Sequence, residues 1–184
     1  YSPSTIKALD VATKAHADQQ RKSGEPYIIH PILVAAITAF VSNDEMMVQA
    51  ALLHDVVEDT TLNIENIAKE FGDDVAHLVE GLTKIIAIRD EKLVSSQSNE
   101  KLLSSALSFR KMLIASIQDV RVLVIKLCDR LHNMLTIDAL HKDKQKRISE
   151  ETLVVYAPIA HRLGISKLKS TLEDLSFEVI YPDD

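Results

Sequence analysis

No tryptophan and only one cysteine, four glycines and five prolines occur in the 184 residues of this chain. Each shortage excludes something. The lone thiol, Cys128, cannot close an internal disulfide or supply a multi-cysteine zinc site. It lies in an apolar run, where a cysteine serves as a small buried hydrophobe, and a free thiol suits a reducing, cytoplasmic setting. So few Gly and Pro provide too little turn chemistry for a many-stranded sheet, which predicts long helices. No apolar run reaches the ~18 residues of a membrane span, and no signal-peptide pattern is visible, so no membrane partner is expected. Basic residues are in deficit, 21 Lys and Arg against 27 Asp and Glu, for a net charge of −6. DNA or RNA, which asks for a basic surface, is therefore not the expected partner. A small phosphorylated ligand is compatible, because a few local cations or a metal ion suffice to hold it.

The chain does have the material for one substantial core: 46% of its residues are hydrophobic and 26% charged, an ordinary globular composition. Residues 1–184 are expected to form a single domain. Because the first residue is Tyr1 and the last ones read as an interrupted element, the chain is expected to be a piece of a longer protein.

The most informative stretch is Ala50-Ala-Leu-Leu-His-Asp-Val-Val-Glu-Asp-Thr60. It sets His54, Asp55, Glu58 and Asp59 among apolar residues. On a helix His54 and Glu58 share one stripe, and Asp55 and Asp59 share the next. Ala50, Ala51, Leu52, Leu53, Val56 and Val57 run nearly all round, so the helix is expected to be buried. Buried carboxylates need positive compensation, and a metal ion held by the His-Asp pair supplies it. The plainer alternative is a polar helix end beside the turn at Asp59-Thr60.

Read in order, Ser2-Pro3 caps a first helix ending near Gln20, followed by a polar loop, Arg21 to Tyr27. His30-Pro31 opens a second helix, to about Phe40. Asp44 or Asn43 caps the third, which carries the His54 cluster. Asn63 caps a fourth, ending at Phe71-Gly72, and Asp73 starts a fifth. Arg89 to Lys101 reads as a mobile loop or frayed helix start. Leu102 to Ile117 is helical, Asp119 caps a long helix to about Leu140, and two last helices, Ile148 to Ala160 and Ser166 to Ile180, flank Gly164. The picture is an all-α, compact multi-helix domain of about nine helices.

Two further ligands complete a site. His30 supplies a second nitrogen if the second and third helices pack through the short turn at 42–44. Asp129, in Lys126-Leu-Cys-Asp-Arg-Leu-His-Asn133, lies in the interior of an apolar helix, where either a metal or a salt bridge to Lys126 or Arg130 satisfies it. His30, His54, Asp55 and Asp129 form a mixed N/O set suited to Mn²⁺, Fe²⁺ or Zn²⁺ rather than Ca²⁺. Glu58 and Asp59, one turn on, can orient or deprotonate an attacking water, and Asn133 can hydrogen-bond water or substrate. Together these describe metal-assisted hydrolysis of a phosphoester. Arg21 and Lys22 can stack on a base and fork onto phosphate, or be a solvated basic loop.

The blocks Arg21-Lys-Ser-Gly-Glu-Pro-Tyr27 with His30-Pro31, Ala51 to Thr60, Phe71-Gly72, Val79 to Lys84, Phe109 to Met112, Lys126 to Met134 and Tyr156 to Gly164 resemble, in this order, the hydrolase domain of the RelA/SpoT family. That domain belongs to the HD phosphohydrolase superfamily, and the long family members make and degrade the alarmones ppGpp and pppGpp. The resemblance implies one Mn²⁺ ion on His30, His54, Asp55 and Asp129. It implies water activation by Glu58 and Asp59 with help from Asn133, and removal of the alarmone 3′-pyrophosphate to leave GDP or GTP. It puts Arg21, Lys22 and Ser23 on the guanine nucleotide, with Lys126, Arg130, Thr136 and Tyr156 as further substrate-binding residues. Linked synthetase and regulatory domains are implied as covalent partners. Leu135 departs from a frequent Arg, and Cys128 from a common Ala. Two alternatives stay open: an HD phosphohydrolase acting on another nucleotide, and a non-catalytic alarmone-binding regulatory domain. The intact Glu58-Asp59 pair argues against the second.

Overall fold

The computed structural model describes residues 2–93 and 99–183. Among them there is no strand; the one β-type contact is an isolated antiparallel bridge between Gln20 and Pro26. The elements are α1 (Pro3–Ala15), α2 (Ile29–Val41), α3 (Glu45–Leu53), α4 (Val56–Asp59), α5 (Ile64–Phe71), α6 (Asp73–Leu93), α7 (Asn99–Ser116), α8 (Val120–Leu135), α9 (Lys142–Glu151), α10 (Ala157–Arg162) and α11 (Ser166–Ile180). A short 3₁₀ turn, Ile137–Ala139, follows α8, and a π-helical turn, Thr152–Tyr156, joins α9 to α10. The all-α expectation holds, and no helix among the described residues is long and apolar enough to cross a membrane.

The helix starts follow from local chemistry. The Ser2 hydroxyl accepts from the Thr5 N–H, with Pro3 in the first turn. Asp44 accepts from the Met46 N–H at 2.9 Å and the Met47 N–H at 3.4 Å. Asn63 and Asn66 form a reciprocal capping box, and Asp119 accepts from the Arg121 N–H at 3.0 Å. Each satisfies a donor that the first helical turn leaves without a partner. The stretch 89–101 differs from expectation: Arg89 to Leu93 completes α6 and α7 begins at Asn99, while 94–98 lies outside the described residues. The helix expected to reach Leu140 ends at Leu135.

The chain divides into two compact units. The first comprises Tyr1–Lys84 and Asp119–Asp129; the second comprises Ile85–Gln118 and Arg130–Asp184. In the first, α3 packs against both α1 and α2, and every residue from Met47 to Val56 is buried, as the apolar surround of His54 predicts. Leu53, Val56, Leu78, Val79, Ile125 and Leu127 are fully or almost fully inaccessible there. In the second, α11 packs on α9 and α10 over a core that includes Phe109, Leu113, Tyr156, Ile159 and Leu172.

One close approach fixes α6 against α8 in the first unit. A Cβ placed on Gly81 would lie 2.7 Å from Val122 Cγ2 and 3.1 Å from its Cγ1. Valine is branched at Cβ and cannot swing its methyl groups away cheaply. Gly81→Ala is therefore expected to lower stability: overpacking costs ~1–3 kcal/mol against ~1 kcal/mol gained in helix propensity. Urea unfolding should show a net loss of about 1 kcal/mol, relieved when Val122→Ala is added to the same chain.

Candidate metal centre and its carboxylates

Four side chains from three elements meet inside the first unit. His30 comes from the first turn of α2, His54 and Asp55 from the junction of α3 and α4, and Asp129 from α8. All four are buried, at 4–8% exposure. His30 Nε2 lies 2.7 Å from Asp129 Oδ1, His54 Nε2 lies 3.0 Å from Asp55 Oδ2, and His54 Nε2 lies 3.5 Å from Asp129 Oδ1. One ligand atom from each of His30, His54 and Asp55 falls within 4.8 Å of the others.

The local backbone differs from the continuous helix that the sequence suggests. α3 ends at Leu53, and His54 and Asp55 form a turn before α4, although both keep right-handed helical dihedrals. The His54 Nδ1 lies 2.5 Å from the Ala51 carbonyl oxygen. A carbonyl only accepts, so Nδ1 carries the proton and donates. A ring nitrogen bonding to the backbone in this way competes with the helical ladder. The Asp59 N–H still donates to the Asp55 carbonyl at 3.0 Å, so the one-turn spacing from Asp55 to Asp59 survives the break.

The tautomer matters chemically. With Nδ1 committed to Ala51, Nε2 is the nitrogen turned toward Asp55 and Asp129. Burial opposes a charge on the His54 ring, but the two carboxylates outweigh it and hold the ring well above the usual histidine range. Burial likewise opposes the charge on Asp129, yet Lys126, His30 and His54 hold its carboxyl well below the usual range. Asp55 is also held low, against burial, by His54 and by a hydrogen bond from Tyr27. The centre thus calls for a cation between its nitrogens and oxygens. A proton on Nε2 fills that need in part; a divalent ion fits the whole donor set.

Lys126 lies one turn before Asp129, and its Nζ is 2.9 Å from Asp129 Oδ2. The salt bridge to Lys126 is therefore present on one carboxylate oxygen, while the other oxygen faces the histidines. Arg130 has partners in the second unit. Its Nη2 lies 2.9 Å from Glu151 Oε1 and its guanidinium stacks 4.3 Å from the Tyr156 ring centre, all within the second unit. Arg89 binds the same Glu151 through Nε at 3.1 Å and Nη2 at 3.2 Å. Arg130 is 5% exposed and Tyr156 1%. Asn133 and Thr136, also in the second unit, are half-buried, and the Thr136 hydroxyl donates to the His132 carbonyl at 3.1 Å.

Arg21, Lys22 and Ser23 stand on a small closed loop. The Arg21 N–H donates to Glu25 O and the Gly24 N–H to Arg21 O, both at 2.9 Å. Gly24 takes a φ of +88°, a conformation that favours glycine. Lys22 and Ser23 are exposed and Arg21 half-buried.

Sequence reasoning assigned no role to Tyr27, at the root of this loop. Its hydroxyl donates to Asp55 Oδ2 at 2.6 Å. Burial, followed by the Asp55 charge, pushes the phenol far up, so it stays protonated as a donor. The available signal was position: Tyr27 ends a Gly-Pro loop and stands one turn before His30.

Glu58 and Asp59 are solvent-exposed on α4. Partial desolvation and the Asp55 charge push Glu58 up to about 7, and the same two causes raise Asp59. A carboxyl with a value near neutrality exchanges protons with water at working pH.

The HD domain family matches residues 8–166. The chain belongs to the HD domain family, which implies a divalent metal, and the His30, His54 and Asp55 cluster fits one. Within that family it stands with the RelA/SpoT proteins. It is 47% identical over 178 residues to a GTP pyrophosphokinase of Myxococcus xanthus, covering 97% of this chain and 23% of that protein. It is 47% identical over 179 residues to the bifunctional (p)ppGpp synthase/hydrolase SpoT of Escherichia coli, covering 96% and 24%. A solved metazoan ortholog of SpoT, described as hydrolysing ppGpp, shares the fold with a TM-score of 0.61 at 28% identity, over 99% of this chain and 96% of that one. The chain spans about a quarter of the length of the curated relatives it matches.

Glu58 gives a test of the electrostatics without metal. Its folded-state value lies above the ordinary 4.5, so the folded protein binds more protons than the unfolded chain between about 4.5 and about 7. This contribution is fully present below that window and is lost as pH rises through it. In chelator, the fall in melting temperature between pH 5 and pH 8 should be smaller for Glu58→Gln than for the native chain.

Proposed function

We propose that the chain is the hydrolase domain of a bifunctional alarmone enzyme. It removes the 3′-pyrophosphate of ppGpp or pppGpp by hydrolysis and leaves GDP or GTP. The observation that carries this reading is the convergence of His30, His54, Asp55 and Asp129 with Glu58 and Asp59 one turn away. Similarity over nearly the whole of this chain to proteins named for (p)ppGpp hydrolysis supports it.

In this reading one Mn²⁺ ion is held by His30, His54, Asp55 and Asp129. Bound there, it supplies a Lewis acid that offsets charge on the phosphoryl oxygens. Glu58 and Asp59 orient the attacking water and take up its proton, and the raised Glu58 carboxyl suits that exchange near neutral pH. Water adds to the phosphorus, the bond from that phosphorus to the ribose 3′ oxygen breaks, the 3′ oxygen takes up the proton released by the water to become a hydroxyl, and pyrophosphate departs. Asn133 positions water or substrate by hydrogen bonding. Arg21, Lys22 and Ser23 hold the guanine nucleotide, the guanidinium stacking or forking as its planar geometry allows. Lys126 acts through Asp129, lessening the negative charge that a pyrophosphate would meet.

The two units together are proposed to form one hydrolase domain of a longer cytoplasmic protein, with synthetase and regulatory domains on the same chain. The greater length of the relatives supports that organisation.

Purified protein with Mn²⁺ should convert ppGpp to GDP and pyrophosphate in equal amounts, and chelation should stop it. Faster cleavage of a different nucleotide would replace the alarmone with that substrate, while binding of ppGpp without cleavage would indicate a regulatory module. Asp59→Asn should lower kcat by at least ~100-fold, the scale of lost acid–base assistance, with Mn²⁺ affinity kept; unchanged turnover removes Asp59 from the mechanism. Arg21→Ala should raise KM about tenfold, the scale of one stacking or charged contact, with little change in metal content. An unaltered KM would eliminate its role.

A further inference from the structure

The loop between α1 and α2 reaches the metal centre from outside the ligand set. Tyr27 places its hydroxyl 2.6 Å from Asp55 Oδ2, the oxygen that also lies 3.0 Å from His54 Nε2. The phenol ring is held on two sides, with its centre 4.8 Å from that of His16 and 6.0 Å from that of His30. Its backbone N–H donates to the Gln19 carbonyl at 2.8 Å. Gln19 continues the grip: its Oε1 accepts from His16 Nδ1 at 2.9 Å, and its Nε2 donates to the Asp59 carbonyl at 3.4 Å. The two roots of the loop thus hold Asp55 through a side chain and Asp59 through its backbone.

A carboxylate that binds a metal must present one oxygen at a fixed angle, and a free Asp rotates about its terminal torsion at little cost. A hydrogen bond to one lone pair removes that freedom. Asp129 obtains it from a cation, Lys126, which also cancels part of its charge. Asp55 obtains it from a neutral phenol, which orients the carboxylate and leaves its full negative charge for the ion. Groups that hydrogen-bond metal-ligating carboxylates govern affinity in this way.

We propose that Tyr27 is a positioning residue for Asp55, holding the carboxylate in its metal-binding orientation and tying the metal centre to the loop that carries Arg21, Lys22 and Ser23. The inference rests on reading the cluster as a divalent-metal site and is independent of which nucleotide is cleaved.

The test is Mn²⁺ binding by metal-free protein, read from the paramagnetic resonance signal of free Mn²⁺, with no substrate present. Tyr27→Phe keeps the ring between His16 and His30 and removes only the hydroxyl. Its Kd should rise by about 10- to 100-fold, with far-UV circular dichroism unchanged. A second measurement needs no substitution. With all four tyrosines replaced by 3-fluorotyrosine, Zn²⁺ should shift one fluorine resonance strongly, that of the residue bonded to a ligand. A Tyr27→Phe Kd within twofold of native, or fluorine resonances that stay in place while the native chain binds metal, overturns the proposal. A native chain that binds neither ion overturns the metal reading and the proposal with it. Failure of ppGpp turnover alone touches neither measurement.

Discussion

Two imidazoles and two carboxylates packed within bonding distance in a nearly dry interior require a positive charge among them, and much of the first unit follows from that requirement. A buried ion uncompensated by a partner costs several kcal/mol, so the elements that deliver these groups have to be rigid. α3 is buried along its length from Met47 onward, α8 is locked to α6 by the Gly81–Val122 contact, and α2 carries His30 in its first turn. Lys126 brings a positive charge to the centre, at the oxygen of Asp129 that faces away from the histidines.

Neighbouring residues on α8 are committed to different networks. Asp129 binds the histidines of the first unit, and Arg130 binds Glu151 in the second. Glu151 is shared by Arg89 and Arg130 and stands immediately before the π-helical turn at Thr152. A carboxylate shared by two guanidiniums is oriented from two directions, and Arg130, the more deeply buried of the two, contributes the less solvent-screened contact. The Tyr156 ring completes this arrangement by stacking on Arg130.

The helical class was readable from the scarcity of Gly and Pro, and the caps at Ser2, Asp44 and Asn63 followed from residue type alone. Three of the four ligand candidates were readable because His54, Asp55 and Asp129 stand in predominantly apolar stretches. What sequence could not yield was decided by three-dimensional partners. Arg130 looks like Lys126 in a linear motif, but only the fold brings Glu151 to it. Tyr27 differs little on paper from any aromatic at a loop end until the loop closes and its hydroxyl finds Asp55. The break at His54 was hidden for a similar reason: the periodicity is that of an unbroken helix, and a ring nitrogen competing for the Ala51 carbonyl leaves no trace in composition.

The bond between His30 and Asp129 spans 99 positions of the chain. During synthesis, which proceeds from the N-terminus, His30, His54 and Asp55 emerge long before their last partner. Closing so long a loop is entropically expensive and slow relative to forming helices. Until α8 has been made and docked, the cluster lacks Asp129, so bringing the four side chains together is a late event in the assembly of the first unit.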